Sequence, residues 1–554
     1  MARVPMQYTW IILLLILVTG MGMLSNTVGS TLKRSEIDQA LYEIPSDIVV
    51  RGSGTLSRNQ EKLRSDYESV SGVKYVSPSI RQAASINTVS TEILGVESEE
   101  FFNFAWYRQD FSSSATSDIF TNLKPDNVIG KLDIPNDSVS IGLWLNPIET
   151  SPFATFFVVL GYGDGSLNTL PLVGNLDRPG WNFVKADIPQ NIDPPFHIVA
   201  FQVYEPTLAQ GTPGQILIDG IHVTSPRVAG GILLEGFEND LAWNPIETLG
   251  QESHSIRIVS SDSYEGENSG LLSFGNQTDR GLRGMYYNPS GPLPVVFSSS
   301  LASMSKTSVG DRTIARIANR WILVEIVGIV DYFPTVNPTG GGFIIADINA
   351  LLAHTNVLLE SYSLKPNAAF IESNELSHID TVKALKELVG RDIQVRDVAS
   401  KLNSIRLDPF VSAGWKPMQI IAPIIGTLAA AVGYVTYLLL FTKRRWGEMG
   451  ALHVIGFSKL QMKALLFFEH LAIGVIGIGI GTWAGSFMSK SLVSSLSVTE
   501  RGQPIIPPFI ITIDWTILSI NYIALGLVFM TSLYLVNRQM TQIKLHTFRE
   551  IQDE

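Results

Sequence analysis

The chain of 554 residues contains no cysteine. Disulfides, thiolate zinc centres and cysteine nucleophiles are thereby excluded. Charge is sparse too. Asp, Glu, Lys and Arg make up 16% of the residues, and the net charge is −11. That sign argues against a general nucleic-acid binder, which must neutralise phosphates. The eight histidines are scattered, with no HExxH and no pair at metal-ligand spacing. No GxSxG elbow occurs, and no GxxxxGK[ST] phosphate loop occurs. "GYGDGS" (Gly161 to Ser166) is glycine-rich but lacks the lysine. Acidic residues are plentiful, yet nothing singles out a glycosidase pair. The chain therefore reads as a non-enzyme that binds no cofactor of its own.

Long apolar runs are present instead. Hydrophobic residues make up 45% of the chain, and mean hydropathy is +0.20. About 20 apolar residues cross a bilayer. Four runs qualify: Tyr8 to Val28, Met418 to Leu440, about Leu465 to Phe487, and Trp515 to Val536. The first has an alternative reading as a cleaved signal peptide, but its uncharged length exceeds a typical signal core. Lys443, Arg444, Arg445, Lys459 and Lys463 crowd the link between the second and third runs. Basic short loops prefer the cytoplasm. Both chain ends are accordingly expected there, with a large domain outside the cell membrane. Outside the segment from Gly29 to Pro417, 11 basic residues stand against 7 acidic ones. With −11 overall, that segment carries −15. It should stand away from anionic lipid.

The expected organisation is an α+β membrane protein with one helix, a β-rich outer domain, then three helices. Its segments are a first transmembrane helix at 1–31, an α/β part at 32–111 and a β-sandwich at 112–293. A small barrel-like and then α/β part follows at 294–416. The second helix is expected at 417–441, a coupling loop at 442–463 and the third helix at 464–488. An outer loop at 489–514, the fourth helix at 515–536 and a tail at 537–554 complete the chain. Inside the first outer part, "SDIVVRG" reads as a strand, "QEKLRSDYESV" as an amphipathic helix and "GVKYVSPSIRQAASI" as a strand pair.

The sandwich reading rests on short β-branched runs punctuated by Gly, Pro, Asn and Asp. They are Ser138 to Pro147, Phe153 to Gly165, Gly180 to Pro189, Phe196 to Pro206 and Gly214 to Thr224. Their order resembles the jelly-roll of carbohydrate-binding modules and galactose-binding-like domains. "LLEGFENDLAW" and "SYEGENSGLLSF" either begin a second copy or pair with the first. Trp144, Trp181, Trp243 and Tyr204 are candidates to stack on sugar. Asp164, Asp219 and Glu238 are candidates for calcium. The favoured reading is that the aromatics fill cores and the acids cap turns.

"KRRWGEMGALHVIGFSKLQMK" is too short for a domain, yet basic and glycine-marked. It reads as a short helix along the membrane face, with Gly450 and Gly456 allowing turns or close approach. It either docks on a partner or touches lipid headgroups. Glu469 in the third run is a candidate partner for its basic residues. Gly477, Gly481 and Gly485 form a small-xxx-small face, suited either to packing within the chain or to a dimer contact.

The stretch also resembles the segment "RRREIGxLRAxGxSxxQ" of the FtsX-like, or MacB-type, permeases. Arg444, Arg445, Glu448, Gly450, Gly456, Ser458 and Gln461 lie on that form. Trp446, Gly447, Met449 and His453 depart from it. "VVFSSSLASMSKTSVGDRTIARIANRWILVEIVGIVDYFP" (Val295 to Pro334) is similar to the outer subdomain of these permeases, with the sandwich inserted. The resemblance implies the permease subunit of an ABC transporter of the mechanotransmission type. It implies a homodimer or heterodimer, and a cytoplasmic ATPase that holds the ATP and magnesium. It also implies action on the outer side, on lipoproteins, peptides, antibiotics or cell-wall hydrolases. The competing reading is a membrane-anchored glycan-binding or sensor protein.

Overall fold

In the computed structural model, described residues run from 6 to 541. Excepted are 53–58, 114–115, 124–131, 150–153, 163–166, 175, 177–178, 190–193, 205–213, 240, 247–253, 275–282, 288–290, 319, 357–363, 375–377, 390–392, 408–415 and 499–501. The chain divides into two units. One holds residues 1–40 and 399–554, the other Leu41–Val398.

Among the described residues, the first unit contains four helices long and apolar enough to cross a membrane. They span Met6–Glu43, Lys416–Val454, Lys459–Leu496 and Trp515–Thr541. The first three are longer than their apolar runs require. At 1.5 Å per residue, 38 residues extend about 57 Å, nearly twice the hydrocarbon thickness. The helix expected to stop at 31 runs on to Glu43. The segment 442–463, expected as a separate loop, is mostly helix. The second helix continues through Val454, and the third begins at Lys459. No proline falls in 441–454, and Glu448, Met449, Ala451 and Leu452 favour the helix, so Gly447 and Gly450 weaken it without ending it.

Ile11 and Leu15 of the first helix meet Ala430, Tyr434, Leu466, Ile473 and Leu525 in one apolar core. The rings of Tyr434 and Phe529 stack at 5.1 Å. Thr482 and Tyr522 share a 2.6 Å hydrogen bond between the third and fourth helices. Inside a bilayer such polar pairs must be satisfied within the protein.

The second unit holds a nine-strand sheet, among the described residues, and a β-sandwich. Six strands close into a barrel: Val73–Ile86, Val89–Val96, Phe343–Asp347, Leu293–Ser298, Arg320–Val330 and Arg312–Ile317. Closure comes from Ala315 opposite Ile86 and Ile317 opposite Ala84. The Val73–Ile86 strand is one element of 14 residues, not the expected pair. Its first half leaves the barrel and pairs with Ala368–Ser373. Ile48–Gly52 and Ile393–Asp397 extend that open sheet. Leu63 and Tyr67 of Gln60–Glu68 and Val382 and Leu385 of His378–Val389 pack with its strands. Alternation along Arg320–Val330 shows why the barrel closes. Ile322, Val324 and Ile326 are buried, while Leu323 is exposed.

The sandwich starts later than 112. Phe111, Ile119, Phe120 and Leu123 join Phe101, Phe333 and Phe343 in a core beside the barrel. The sandwich strands run from Leu132–Ile134 to Arg283–Tyr287. One antiparallel sheet has the order Ser255–Val259, Ser269–Phe274, Gly214–Ser225, Ser140–Glu149, Asn182–Asp187. The facing sheet has the order Trp243–Pro245, Arg283–Tyr287, Phe196–Tyr204, Thr155–Tyr162, Leu167–Leu172. The open question about "SYEGENSGLLSF" is resolved: Ser269–Phe274 pairs with Gly214–Ser225, so it completes the first sandwich. Leu143, Val158, Ile198, Ile216, Trp243 and Met285 fill the space between the sheets.

Candidate functional site

The turn between the second and third helices is built from a few residues with defined tasks. The Phe457 N–H donates to Leu452 O at 3.1 Å. This six-to-one bond closes a Schellman stop on the second helix. It requires a left-handed residue just past the helix, and Gly456 has φ +102°. Ser458 then starts the third helix. Its Oγ accepts the Gln461 N–H at 3.2 Å, and the Ser458 N–H donates to Gln461 Oε1 at 2.9 Å. That reciprocal pair is a capping box. Gly456, Ser458 and Gln461, expected as coupling residues, are thus the residues that make the turn.

The turn carries apolar side chains with little cover. Val454 is 87% exposed, Ile455 75% and Leu460 78%. Val454 lies 14 residues beyond the apolar window Ile421–Leu440, or about 21 Å along a helix. The intervening residues include Lys443, Arg444, Arg445 and Glu448. The sequence reading stressed charge here and passed over these three aliphatics. Their signal was available as "HVIGF", an apolar run directly after a polar stretch.

The backbone of Arg444, Arg445, Glu448 and Gly450 lies in the second helix, while their side chains fall outside the described residues. Gly450 is therefore helical and not at a turn. Glu469 is half-buried in the third helix, about 16 Å along it from Ser458. His470 beside it is buried, and its Nδ1 lies 3.0 Å from Leu466 O.

Gly477, Gly481 and Gly485 face the first helix. A Cβ on Gly477 would stand 2.7 Å from Leu15 Cβ, and one on Gly485 would stand 2.8 Å from Met23 Cβ. On Gly481 it would collide with Thr19 Oγ1 and lie 2.8 Å from Ile16 O. This face is occupied within the chain.

In the sandwich the four candidate aromatics separate. Trp243 is core, at 1% exposure, whereas Tyr204 is 50% exposed. Trp144 and Trp181 lie on the outer face of one sheet and meet Tyr264. The calcium candidates do not converge. Asp164 falls outside the described residues. The fully buried Asp219 carboxylate accepts N–H groups from Gly220, Tyr264 and Glu265. Burial raises its pKa, and the N–H donors oppose that shift. Glu238 accepts the Glu267 N–H at 2.9 Å. Among the described residues no group of three His, Asp or Glu could hold a metal.

One relay was missed in the sequence. Ser373 Oγ lies 2.8 Å from His378 Nδ1, and His378 Nε2 lies 3.4 Å from Asp397. Ser373 is only 2% exposed and also bonds Asp47. The row fastens a helix to the sheet and presents no accessible nucleophile.

Four membrane-length helices with a β-rich second unit define a membrane protein of α+β class. Residues 420–542, which contain the turn and the helices either side of it, match the FtsX-like permease C-terminal domain. Over those residues the chain is similar to that domain, and the β-sandwich is inserted elsewhere, between the barrel strands Val89–Val96 and Leu293–Ser298 of the β-rich unit. The match supports the permease subunit of an ABC transporter. No curated protein matches the chain.

Proposed function

We propose that this chain is a mechanotransmission permease: a separate cytoplasmic ATPase grips the turn at 454–460, and nucleotide-driven motion there moves the other unit. The basic stretch from Lys443 to Lys463 supports a cytoplasmic turn and cytoplasmic chain ends by the charge rule. The larger unit then acts outside, on a lipid-anchored, peptide or protein partner. A homodimer or heterodimer supplies the second half of the transporter.

One observation carries this reading. Val454, Ile455 and Leu460 are exposed on a turn that a Schellman stop and a capping box hold in one shape. Exposed aliphatics on a rigid element beyond the apolar window favour a protein cover. Headgroup contact alone would require only the cations.

The test is copurification. Val454→Asp with Leu460→Asp should leave the chain folded in detergent and abolish recovery of an associated ATPase. Undiminished recovery of that ATPase with the double variant would sink the proposal.

A further inference from the structure

The outer face of a sandwich sheet is normally polar, because only the inner face is buried. Here part of that face is aromatic. Along Ser140–Glu149, Leu143 and Leu145 point into the core, so Gly142, Trp144 and Asn146 point outward. Phe183 lies opposite Trp144 in register, with ring centroids 5.0 Å apart. Tyr264, from the loop after Ser255–Val259, stacks on Trp144 at 3.6 Å and 18°. Trp181 meets Tyr264 edge-on at 6.3 Å.

The backbone is shaped to accommodate these rings. A Cβ on Gly142 would strike the Phe183 ring, and one on Gly220 would lie 3.2 Å from Trp144 Cδ1. The loop that presents Tyr264 is fixed from below. Buried Asp219 accepts the Tyr264 N–H at 2.7 Å and the Glu265 N–H at 2.9 Å. Trp181 is fixed by its indole N–H, which donates to Asp262 Oδ1 at 3.1 Å. Asn146 Nδ2 donates to Asp262 Oδ2 at 2.9 Å. Despite this support, Tyr264 stays 45% exposed and Phe183 41%.

We infer that this platform is a saccharide-binding site, with the free face of Tyr264 as its floor and Trp181 as its wall. A rigid ring with one face covered and the other open suits a flat ligand with an apolar face. A pyranose offers that face through its axial C–H bonds. Its hydroxyls need acceptors at the rim, and Asp262 supplies them. Each of its oxygens takes one hydrogen bond from the protein and retains a lone pair. A protein partner's hot spot would instead want a pocket that encloses an anchor side chain, whereas here an open ring face meets a single wall, Trp181, edge-on at 62°. The site lies wholly in the sandwich and is independent of ATPase coupling.

The test uses the full chain in a non-glycosidic detergent, because maltoside headgroups would compete. The probes are linear hexamers of β-1,4-glucose, β-1,4-N-acetylglucosamine and α-1,6-mannose, followed by tryptophan fluorescence and calorimetry. At least one should bind saturably with Kd below about 1 mM. Tyr264→Ala should weaken it about tenfold or more, and Tyr264→Phe should retain it. Trp181→Ala, which leaves the Asp219 contacts in place, should weaken it as well. The inference is overturned if none of the three saturates at about 10 mM. It is equally overturned if both alanine variants bind like the parent. Binding of a proline-rich peptide to the same rings, with no saccharide bound, also overturns it.

Discussion

Asn26 and Asp514 exchange two hydrogen bonds: Asn26 Nδ2 donates to Asp514 O at 2.9 Å, and the Asp514 N–H donates to Asn26 Oδ1 at 3.0 Å. One amide side chain on the first helix thus satisfies both backbone groups of the residue that starts the fourth. The Asp514 carboxylate is left to cap that helix, accepting from Thr516 and Ile517. Because Asn26 reads only backbone, the two residues answer differently to substitution. Asn26→Ala should cost about 1–3 kcal/mol by orphaning the Asp514 N–H, while the Asp514 carbonyl keeps the Leu518 N–H at 3.1 Å. Asp514→Asn should be nearly neutral, since Asn caps as well as Asp. Thermal unfolding in detergent measures both, and equal losses would contradict the arrangement.

The glycine face predicts effects of opposite sign. Alanine is favoured over glycine in a helix by about 1 kcal/mol. At Gly479 a Cβ meets nothing within 4 Å, so Gly479→Ala should stabilise by roughly that amount. At Gly481 the new methyl collides with Thr19 and the Ile16 carbonyl. Gly481→Ala should therefore destabilise despite the propensity gain, and Gly481→Leu more so. Paired melting curves decide this. Stabilisation by both alanine variants would mean that the first and third helices do not pack as described.

Much of this was legible in the sequence. Four apolar runs gave four helices, and the five alternating runs became strands Ser140–Glu149, Thr155–Tyr162, Asn182–Asp187, Phe196–Tyr204 and Gly214–Ser225. Helix ends were less legible. The stretch from Phe441 to Val454 turns polar, so a separate short helix in a loop was expected where the second helix simply continues. Val73–Ile86 contains Pro78 and polar residues, which suggested a break where the chain only changes partners. The aromatic platform was hidden because Trp144 and Tyr264 are 120 residues apart, and neither spacing nor periodicity reports that stack.

The turn should respond to loss of its caps. Ser458→Ala removes the capping box and should cost about 1 kcal/mol. At Gly456 a Cβ meets no atom within 4 Å, so Gly456→Ala should cost only its left-handed backbone strain, about 1–2 kcal/mol. Hydrogen exchange at 452–461 should rise in both variants. Unchanged protection would show that the caps do not hold this segment.

The barrel should be acid-sensitive through His354. Its Nδ1 lies 2.8 Å from Ala350 O and its Nε2 3.1 Å from Gly291 O. Burial pushes its pKa below the usual value, and the Arg320 charge adds to that, while both carbonyls oppose it. A histidine depressed in the folded state stabilises fully above the unfolded value, about 6.5. That contribution is lost as pH falls through the folded value. Melting temperature should therefore drop on acidification from about pH 7 to 5, and His354→Gln should flatten the drop. Parallel curves for parent and variant would exclude this residue as the cause.

The strand Val73–Ile86 has a mechanical consequence. Its leading half is stitched to Ala368–Ser373, and its trailing half to Val89–Val96 and Arg312–Ile317. No loop interrupts it, so it works like a crankshaft common to two bearings. A torque applied at the open sheet must emerge as rotation of the closed one, with no slack between input and output.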